Sequence, residues 1–461
     1  MQLTYNIKDK PKFGQLIVFA IQQLLAIMAA TIAVPAIVGN GMQQTAAMFG
    51  AGVGTLVYVL FTKAKSPVFL GSSFAFIGSM SAAFAGAAST AAGYAGLIIG
   101  AVFAGLVYVV ISLIVKFVGV AWIDKLMPKQ VIGPTVAIIG LSLAGSAISN
   151  LKTGGYLVEQ TTTLANGESV VEMVSSAQPL LAIFCGLFGL IVTMLCSVYG
   201  NKNLKLIPFI IGIVAGYLMC ALFTVIGIAT GNDGLKLIDF SHFSGIGLFT
   251  LPRFTLLEAM KGVTEITDPA YIGTVALAYM PVAFVVFAEH IADHKNISSI
   301  IETDLLEDPG LHRTLLGDGV GSIAGALFGG CPNTTYGESV ACVAISGNAS
   351  VATIITTAIL AILIAFVSPF VAFVESIPSC VMGGVCMALY GFIAVSGLKM
   401  VQKVDLEDNR NLFTVSAILI AGIGGLVLDF GQIQITAVAT ALILGILVNL
   451  ILHAGDKKKK A

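Results

Sequence analysis

The stretch Pro332-Asn333-Thr334-Thr335-Tyr336-Gly337-Glu338-Ser339 sets a carboxylate among small and hydroxyl residues, in a chain that otherwise reads as hydrocarbon. A second acid, Glu289, closes the apolar run Pro281-Val282-Ala283-Phe284-Val285-Val286-Phe287-Ala288. An acid at the centre of a membrane helix costs about 2.5–3.5 kcal/mol on insertion scales, so such residues face cavities and handle an ion, a proton or a polar ligand. The surrounding composition fits that setting. Of 461 residues, 57% are hydrophobic and 10% charged, with a mean hydropathy of +0.98; soluble domains carry about 25% charged residues. Apolar runs long enough to cross a hydrocarbon core of about 30 Å recur along nearly the whole length. These features predict an all-α polytopic membrane protein, and two acids at membrane depth point to a transporter. A net charge of −1 offers no field that would draw nucleic acid.

The runs predict fourteen spans, near 13–39, 43–62, 67–87, 94–118, 128–149, 179–200, 205–230, 275–294, 314–331, 332–347, 350–374, 378–398, 411–428 and 434–454. The third and tenth are unusually short or polar. Basic residues provide an independent check, because Lys and Arg accumulate on the cytoplasmic side. Under this count Lys8, Lys10, Lys12, Lys63, Lys65, Lys116, Lys125, Lys129, Lys202, Lys205, Lys295, Arg313, Lys399, Lys403 and Arg410 share one side with Lys457, Lys458, Lys459 and Lys460. Only Lys152, Lys236, Arg253 and Lys261 fall opposite. Both termini are therefore expected in the cytoplasm, and the first run, lacking a small-residue cleavage site, reads as a retained span. Residues 150–178 and 231–272 read as external loops, with Leu251-Pro252-Arg253-Phe254-Thr255 along the membrane interface. Residues 295–313 read as a solvated cytoplasmic connector.

The two halves echo each other. Met127-Pro128-Lys129-Gln130-Val131-Ile132-Gly133 matches Ile377-Pro378-Ser379-Cys380-Val381-Met382-Gly383 in Pro, Val and Gly, and the same offset sets Ala144 and Ser146 against Ala394 and Ser396. Ser72-Ser73-Phe74-Ala75 and Thr334-Thr335-Tyr336-Gly337 share the order hydroxyl, hydroxyl, aromatic, small. These lie in the third and tenth spans, corresponding members of two seven-span halves. An odd number of spans per half inverts the second, and paired interrupted spans at the midplane are how secondary transporters build a substrate site. Irregular backbone is tolerated at that depth only where it lines a cavity. The ridge Gly317, Gly319, Gly321, Gly325 and Gly329 reads instead as close helix packing.

Glu289, His290, Asp293 and His294 fall at one helix end. Glu289 and Asp293 share a face, and His290 and His294 the neighbouring one. Glu289 suits either acceptance of hydrogen bonds from ligand N–H groups or carriage of a coupled proton. His290 reads as a proton relay or a packing histidine, and His294 as a residue of the cytoplasmic rim. If the tenth span opens in extended chain, the amides beside Glu338 point into the cavity from a helix N-terminus, where they bind acceptor oxygens. Amides and carboxylates in alternation suit an imide or amide heterocycle, with Phe74 or Tyr336 over its flat face.

Cys185, Cys196, Cys220, Cys331, Cys342, Cys380 and Cys386 form no C-x-x-C pair and read as small buried filler, not a metal or redox site. No cofactor is implied. An enzyme would need a nucleophile–base set at membrane depth, which His290 with Glu289 does not supply. A channel or anion carrier fits poorly with two acids in the site.

Phe287-Ala288-Glu289-His290, Pro332-Asn333-Thr334-Thr335-Tyr336-Gly337-Glu338, Gly71-Ser72-Ser73-Phe74-Ala75-Phe76-Ile77 and Asp304-Leu305-Leu306-Glu307-Asp308-Pro309-Gly310-Leu311-His312-Arg313 closely resemble the bacterial uracil-permease branch of the nucleobase–ascorbate transporter (nucleobase:cation symporter-2) family. The resemblance covers essentially the whole chain. It implies a core domain (13–118 and 275–374) and a gate domain (128–230 and 378–454), uracil–proton symport by alternating access, and a homodimer through the gate domains. It also implies that Glu289 and Glu338 hydrogen-bond uracil, that the amides of Phe74 and Gly337 meet its carbonyls, and that Tyr336 lines the site. Glu289, His290 and Asp293 are the implied proton-coupling group. The chain departs from the pattern at Asp293, where relatives place His, at Gly347 for a basic residue, at Ser339 for Asn, and at Gln22-Gln23 for a Gln-His pair. A xanthine or purine permease of the same fold is the alternative, although that branch carries other residues where this chain has Gly337-Glu338-Ser339.

Overall fold

The computed structural model describes residues 3–119, 121–163, 169–201, 204–429 and 434–454. Lys202, Lys457, Lys458, Lys459 and Lys460 of the charge argument lie outside them. In chain order the elements are α1 (Phe13–Val38), α2 (Gln44–Phe61), β1 (Leu70–Ser72), a 3-10 turn (Phe74–Phe76), α3 (Ile77–Ala85) and α4 (Thr90–Val118). The short α5 (Ala121–Leu126), α6 (Lys129–Ser142), α7 (Ala144–Leu151), the hairpin strands β2 (Leu157–Thr163) and β3 (Ser169–Ser175), α8 (Pro179–Tyr199) and α9 (Pro208–Thr230) follow. Next come α10 (Thr255–Gly262), α11 (Pro269–Ile301), α12 (Leu311–Gly329), β4 (Asn333–Thr335), α13 (Gly337–Ser346), α14 (Val351–Ile364) and α15 (Ser368–Glu375). The last are α16 (Ser379–Val401), α17 (Asn409–Ile423), a small hairpin of β5 (Leu428–Asp429) and β6 (Gln434–Ile435), and α18 (Ala437–His453).

Local chemistry accounts for the helix ends. Pro179, Pro208 and Pro269 open α8, α9 and α11, where a fixed φ and a missing N–H carry no penalty. Ser89 caps α4 and Asp268 caps α11 through side-chain oxygens. Asp408 caps α17 and also takes the Arg410 guanidinium, which holds its carboxyl at about 2. Among the described residues, eight helices are long and apolar enough to cross a membrane: α1, α2, α4, α6 continued through α7, α8, α9, α11 and α16. The segments 74–85, 337–346, 351–364, 409–423 and 437–453 are shorter apolar helices. The protein is an integral membrane protein with an all-helical fold.

Packing divides the chain into two compact units, one of residues 1–142, 251–365 and 390–461, the other of residues 143–250 and 366–389. In the first, α12 is wedged between α2 and α4 by its glycine ridge. A methyl group at Gly321 would meet the Gly54 carbonyl at 2.7 Å, and one at Gly319 would meet Tyr108 at 2.6 Å. Helix axes approach this closely only where no side chain intervenes. Residues 4–7 are strapped across the α13–α14 connection: Thr4 N–H donates to the Gly347 carbonyl (2.8 Å), and the Ala349 and Val351 amides donate to the carbonyls of Tyr5 and Ile7 (2.9 and 3.1 Å). Leu3 and Ile7 pack on a core that includes Tyr58, Leu70, Ile297, Ile301 and Val340. In the second unit, α8 and α9 meet at Gly189 and Gly212, and Thr224 Oγ1 receives the amides of Leu237 and Ile238.

The expected loops hold more regular structure than plain connectors. Helix α11 runs to Ile301, so most of 295–313 is helical. Ile297, Ile301 and Leu305 are buried there, while Glu302, Asp304, Glu307 and Asp308 stay exposed. Within 231–272, Phe254 packs tilted against Phe49 and edge-on against Phe328, with ring centroids 4.8 and 5.4 Å apart. Behind it, α10 lies so close to α4 that a methyl group at Gly262 would overlap the Ala91–Ala92 backbone. Finally, 150–178 holds an antiparallel hairpin pairing Leu157 with Ser175 through Thr163 with Ser169.

Candidate functional site

Two three-residue strands, β1 and β4, pair antiparallel deep in the first unit, with Leu70 opposite Thr335, Gly71 opposite Thr334 and Ser72 opposite Asn333. All six residues are buried. Strand backbone at such depth needs partners on every side. Thr55 Oγ1 donates to the Leu70 carbonyl (3.2 Å) and accepts from its amide (2.9 Å), while the Asn333 amide group donates to Gly50 O (3.1 Å). Beyond the ladder, Ser73 N–H donates to Pro332 O (2.9 Å) and Tyr336 N–H to Phe69 O (3.2 Å). These two bonds exchange under a local two-fold that matches Phe69 with Pro332 and Ser73 with Tyr336. Phe74 is then equivalent to Gly337, one residue away from the match suggested by the hydroxyl-aromatic order.

That equivalence matters for chemistry. Phe74 opens the 3-10 turn after β1, and Gly337 opens α13 after β4. The first amides of a helical segment have no intrahelical acceptor, so two equivalent N–H groups emerge from the crossing. Gly337 is exposed although Thr334, Thr335, Tyr336 and Ser339 are buried, and Glu338 beside it is half-buried. Tyr336 packs inward: its ring fills the space where Gly71 lacks a side chain, and its hydroxyl donates to Ser72 O (2.7 Å). The ring of Phe74 packs edge-on against Tyr390 at 5.7 Å.

Helix α11 contributes the facing acids. Glu289 lies within electrostatic reach of Asp293, Glu338 and Asp318. The four carboxylates divide into two kinds. Asp293 accepts from Thr335 Oγ1 (2.8 Å), and Asp318 Oδ2 lies 2.7 Å from His290 Nδ1. Among the described residues, no neighbour's side chain donates to Glu289 or Glu338, and both remain accessible. Half-buried carboxylates with open lone pairs suit a ligand that supplies N–H donors.

The histidines depart most from expectation. His290 is fully buried and turns to Asp318 and to Thr314 Oγ1 (3.0 Å), away from the open acids. His294, expected at the cytoplasmic rim, is also fully buried and stacks on His290 with ring centroids 4.0 Å apart. Its Nδ1 faces the His290 carbonyl (2.8 Å), and its Nε2 faces the hydroxyls of Tyr58 (2.7 Å) and Ser66 (3.4 Å). The expectation failed because it ended the span at 294, whereas α11 continues for two more turns. Asp318 escaped the sequence reading because its neighbours Gly317 and Gly319 look like helix packing; an acid inside such a ridge was the available signal. Two departures from the family pattern also touch: Gln23 Nε2 donates to Ser339 Oγ (2.6 Å), which accepts Phe69 N–H (3.0 Å). Among the described residues no cluster suits a metal ion.

The family model Xan_ur_permease, described as Permease family, matches residues 14–430. A uracil permease of Bacillus caldolyticus is 38% identical over 450 residues, covering 97% of this chain and 94% of that protein. A uracil permease of Bacillus subtilis is 35% identical, covering 99% and 97%, and one of Escherichia coli is 34% identical, covering 97% and 93%. Among solved structures, the transmembrane domain of the cyanobacterial bicarbonate transporter BicA matches with a TM-score of 0.58 at 16% identity, over 98% of this chain and all of that one. The murine anion transporter Slc26a9 matches with a TM-score of 0.62 at 11% identity, over 97% and 69%. These two likenesses show a shared fold.

Proposed function

The chain belongs to this permease family, transporters and not enzymes, and on that premise we propose that it imports uracil by proton symport. The observation that carries the reading is the pair Glu289 and Glu338, open to a ligand and set beside the first amides of the turns at Phe74 and Gly337. Uracil alternates C=O and N–H along its edge. Carboxylates accept from the N–H groups through charge-assisted bonds, and the two amides donate to the carbonyls. The names of three relatives matched over nearly their full length support uracil over a purine. The proton belongs to the group Glu289, His290 and Asp293: a proton shared between the neighbouring carboxylates of Glu289 and Asp293 relieves their repulsion, and His290 links the group to the further acid Asp318.

Alternating access follows from a core domain, 13–118 with 275–374, that carries the site past a gate domain, 128–230 with 378–454. Fourteen spans in two inverted seven-span repeats underlie it, supported by the antiparallel pairing and local two-fold of β1 and β4. The protein would sit in a bacterial plasma membrane with both termini cytoplasmic, following the one-sided lysines, and would dimerise through its gate domains. The deciding experiment is uptake of labelled uracil against unlabelled uracil, thymine, xanthine and hypoxanthine. Uracil should compete best and the purines hardly at all; displacement by xanthine as effective as by uracil would transfer the protein to the purine reading.

A further inference from the structure

A groove of about 410 Å³ runs along α4 and α11, and neither Glu289, Asp293, Asp318 nor Glu338 lines it. Its floor is Val107 and Ile111, both buried, and its rims are Leu106, Val110, Ile114 and Met280, all between 37% and 55% exposed. The lining is wholly apolar. Across one end lies α5, which contributes Trp122 and Leu126. Trp122 stacks on Phe287, with ring centroids 6.4 Å apart and planes 10° from parallel. Its indole N–H has no acceptor among the described residues. Lys125 stands three residues after Trp122, on the same side of α5, and it is exposed.

We propose that this groove holds one acyl chain of an anionic glycerophospholipid whose headgroup is bound at Lys125. In a membrane protein an outward apolar groove of this size meets hydrocarbon, and the cation at its end selects among the lipids that could fill it. Trp122 joins the two regions: its ring completes the apolar wall of the groove, and Lys125 follows one turn later on the same short helix. A lysine near the membrane surface favours an anionic lipid by roughly 1 kcal/mol, or about fivefold in local enrichment.

Trp122 is the single tryptophan of the chain, so its fluorescence reports on this groove alone. The purified protein would be reconstituted in vesicles containing brominated phosphatidylglycerol or brominated phosphatidylcholine at equal mole fraction. Bromine on the acyl chains should quench Trp122 more strongly from phosphatidylglycerol, by an occupancy ratio of about fivefold, and Lys125→Ala should bring the ratio to about one. Val110→Phe, which narrows the groove without touching the lysine, should lower quenching by both lipids. Equal quenching by the two lipids in the unaltered protein means ordinary boundary lipid and overturns the proposal. Absence of quenching by either overturns it too, because the groove is then covered by protein.

Discussion

Glu289 and Asp293 sit one turn apart on the same helix face, yet their surroundings assign them different work. Asp293 is already engaged by Thr335, whereas Glu289 and Glu338 keep their lone pairs for a ligand. Glu338→Gln exchanges a charged acceptor for an amide whose NH2 faces another donor, so uracil binding should weaken by about 2–4 kcal/mol. Calorimetric titration of the purified variant checks this; unaltered affinity would remove Glu338 from the site. Asp293→Asn keeps the shape and can still accept from Thr335, but cannot exchange a proton. Binding should therefore stay within about threefold, under about 1 kcal/mol, while gradient-driven accumulation falls sharply. Loss of binding would make Asp293 a ligand contact, and unchanged accumulation would pass proton coupling to Glu289 or His290. The two open acids were legible in the sequence because each ends or interrupts an apolar run. Asp318 was masked by the packing ridge of Gly317 and Gly319, and the buried role of His294 rests on Tyr58 and Ser66, both far away in sequence.

The short strands β1 and β4 show how far an element can be read from its own residues. Small and hydroxyl side chains in two apolar segments announced interrupted spans, and both segments are extended as expected. Their alignment could not be set that way. Matching aromatic with aromatic set Phe74 against Tyr336, whereas the two-fold of the backbone bonds makes Phe74 equivalent to Gly337, because register follows backbone partners and not side-chain type. The Tyr336 ring is spent on the crossing, and Gly71 makes room for it. Gly71→Ala should force the ring out and cost about 1–3 kcal/mol as overpacking, measured as a lower melting temperature in detergent with uracil affinity reduced in parallel. A fully stable variant would show that the ring has other room. Gln23 and Ser339 form a second element-level contact. A double-mutant cycle of Gln23→Ala and Ser339→Ala should give a coupling of about 0.5–3 kcal/mol in stability. Strict additivity would mean that the contact contributes nothing.

At the level of the whole molecule, composition alone announced a membrane protein, and the resemblance extended along the full length in agreement with the family match. Less visible was how much of the nominal loop is folded: the α11 extension and α10 pack against parts far away in sequence, and β2 and β3 pair with each other. If uptake is coupled to protons, accumulation of labelled uracil in vesicles should rise with an inward proton gradient and collapse when an ionophore dissipates it. Uptake that ignores the ionophore but requires sodium would overturn the coupling. The strap of residues 3–9 and strand β1 also impose an order on biosynthesis. Their partners, 347–351 and β4, leave the ribosome only after most of the chain has been inserted. Until then β1 holds unpaired amides and carbonyls in a nonaqueous setting where each is costly. A nascent chain released before residue 333 therefore carries its own signal of incompleteness, and such fragments are expected to be cleared by membrane-bound proteases faster than fragments that end after α13.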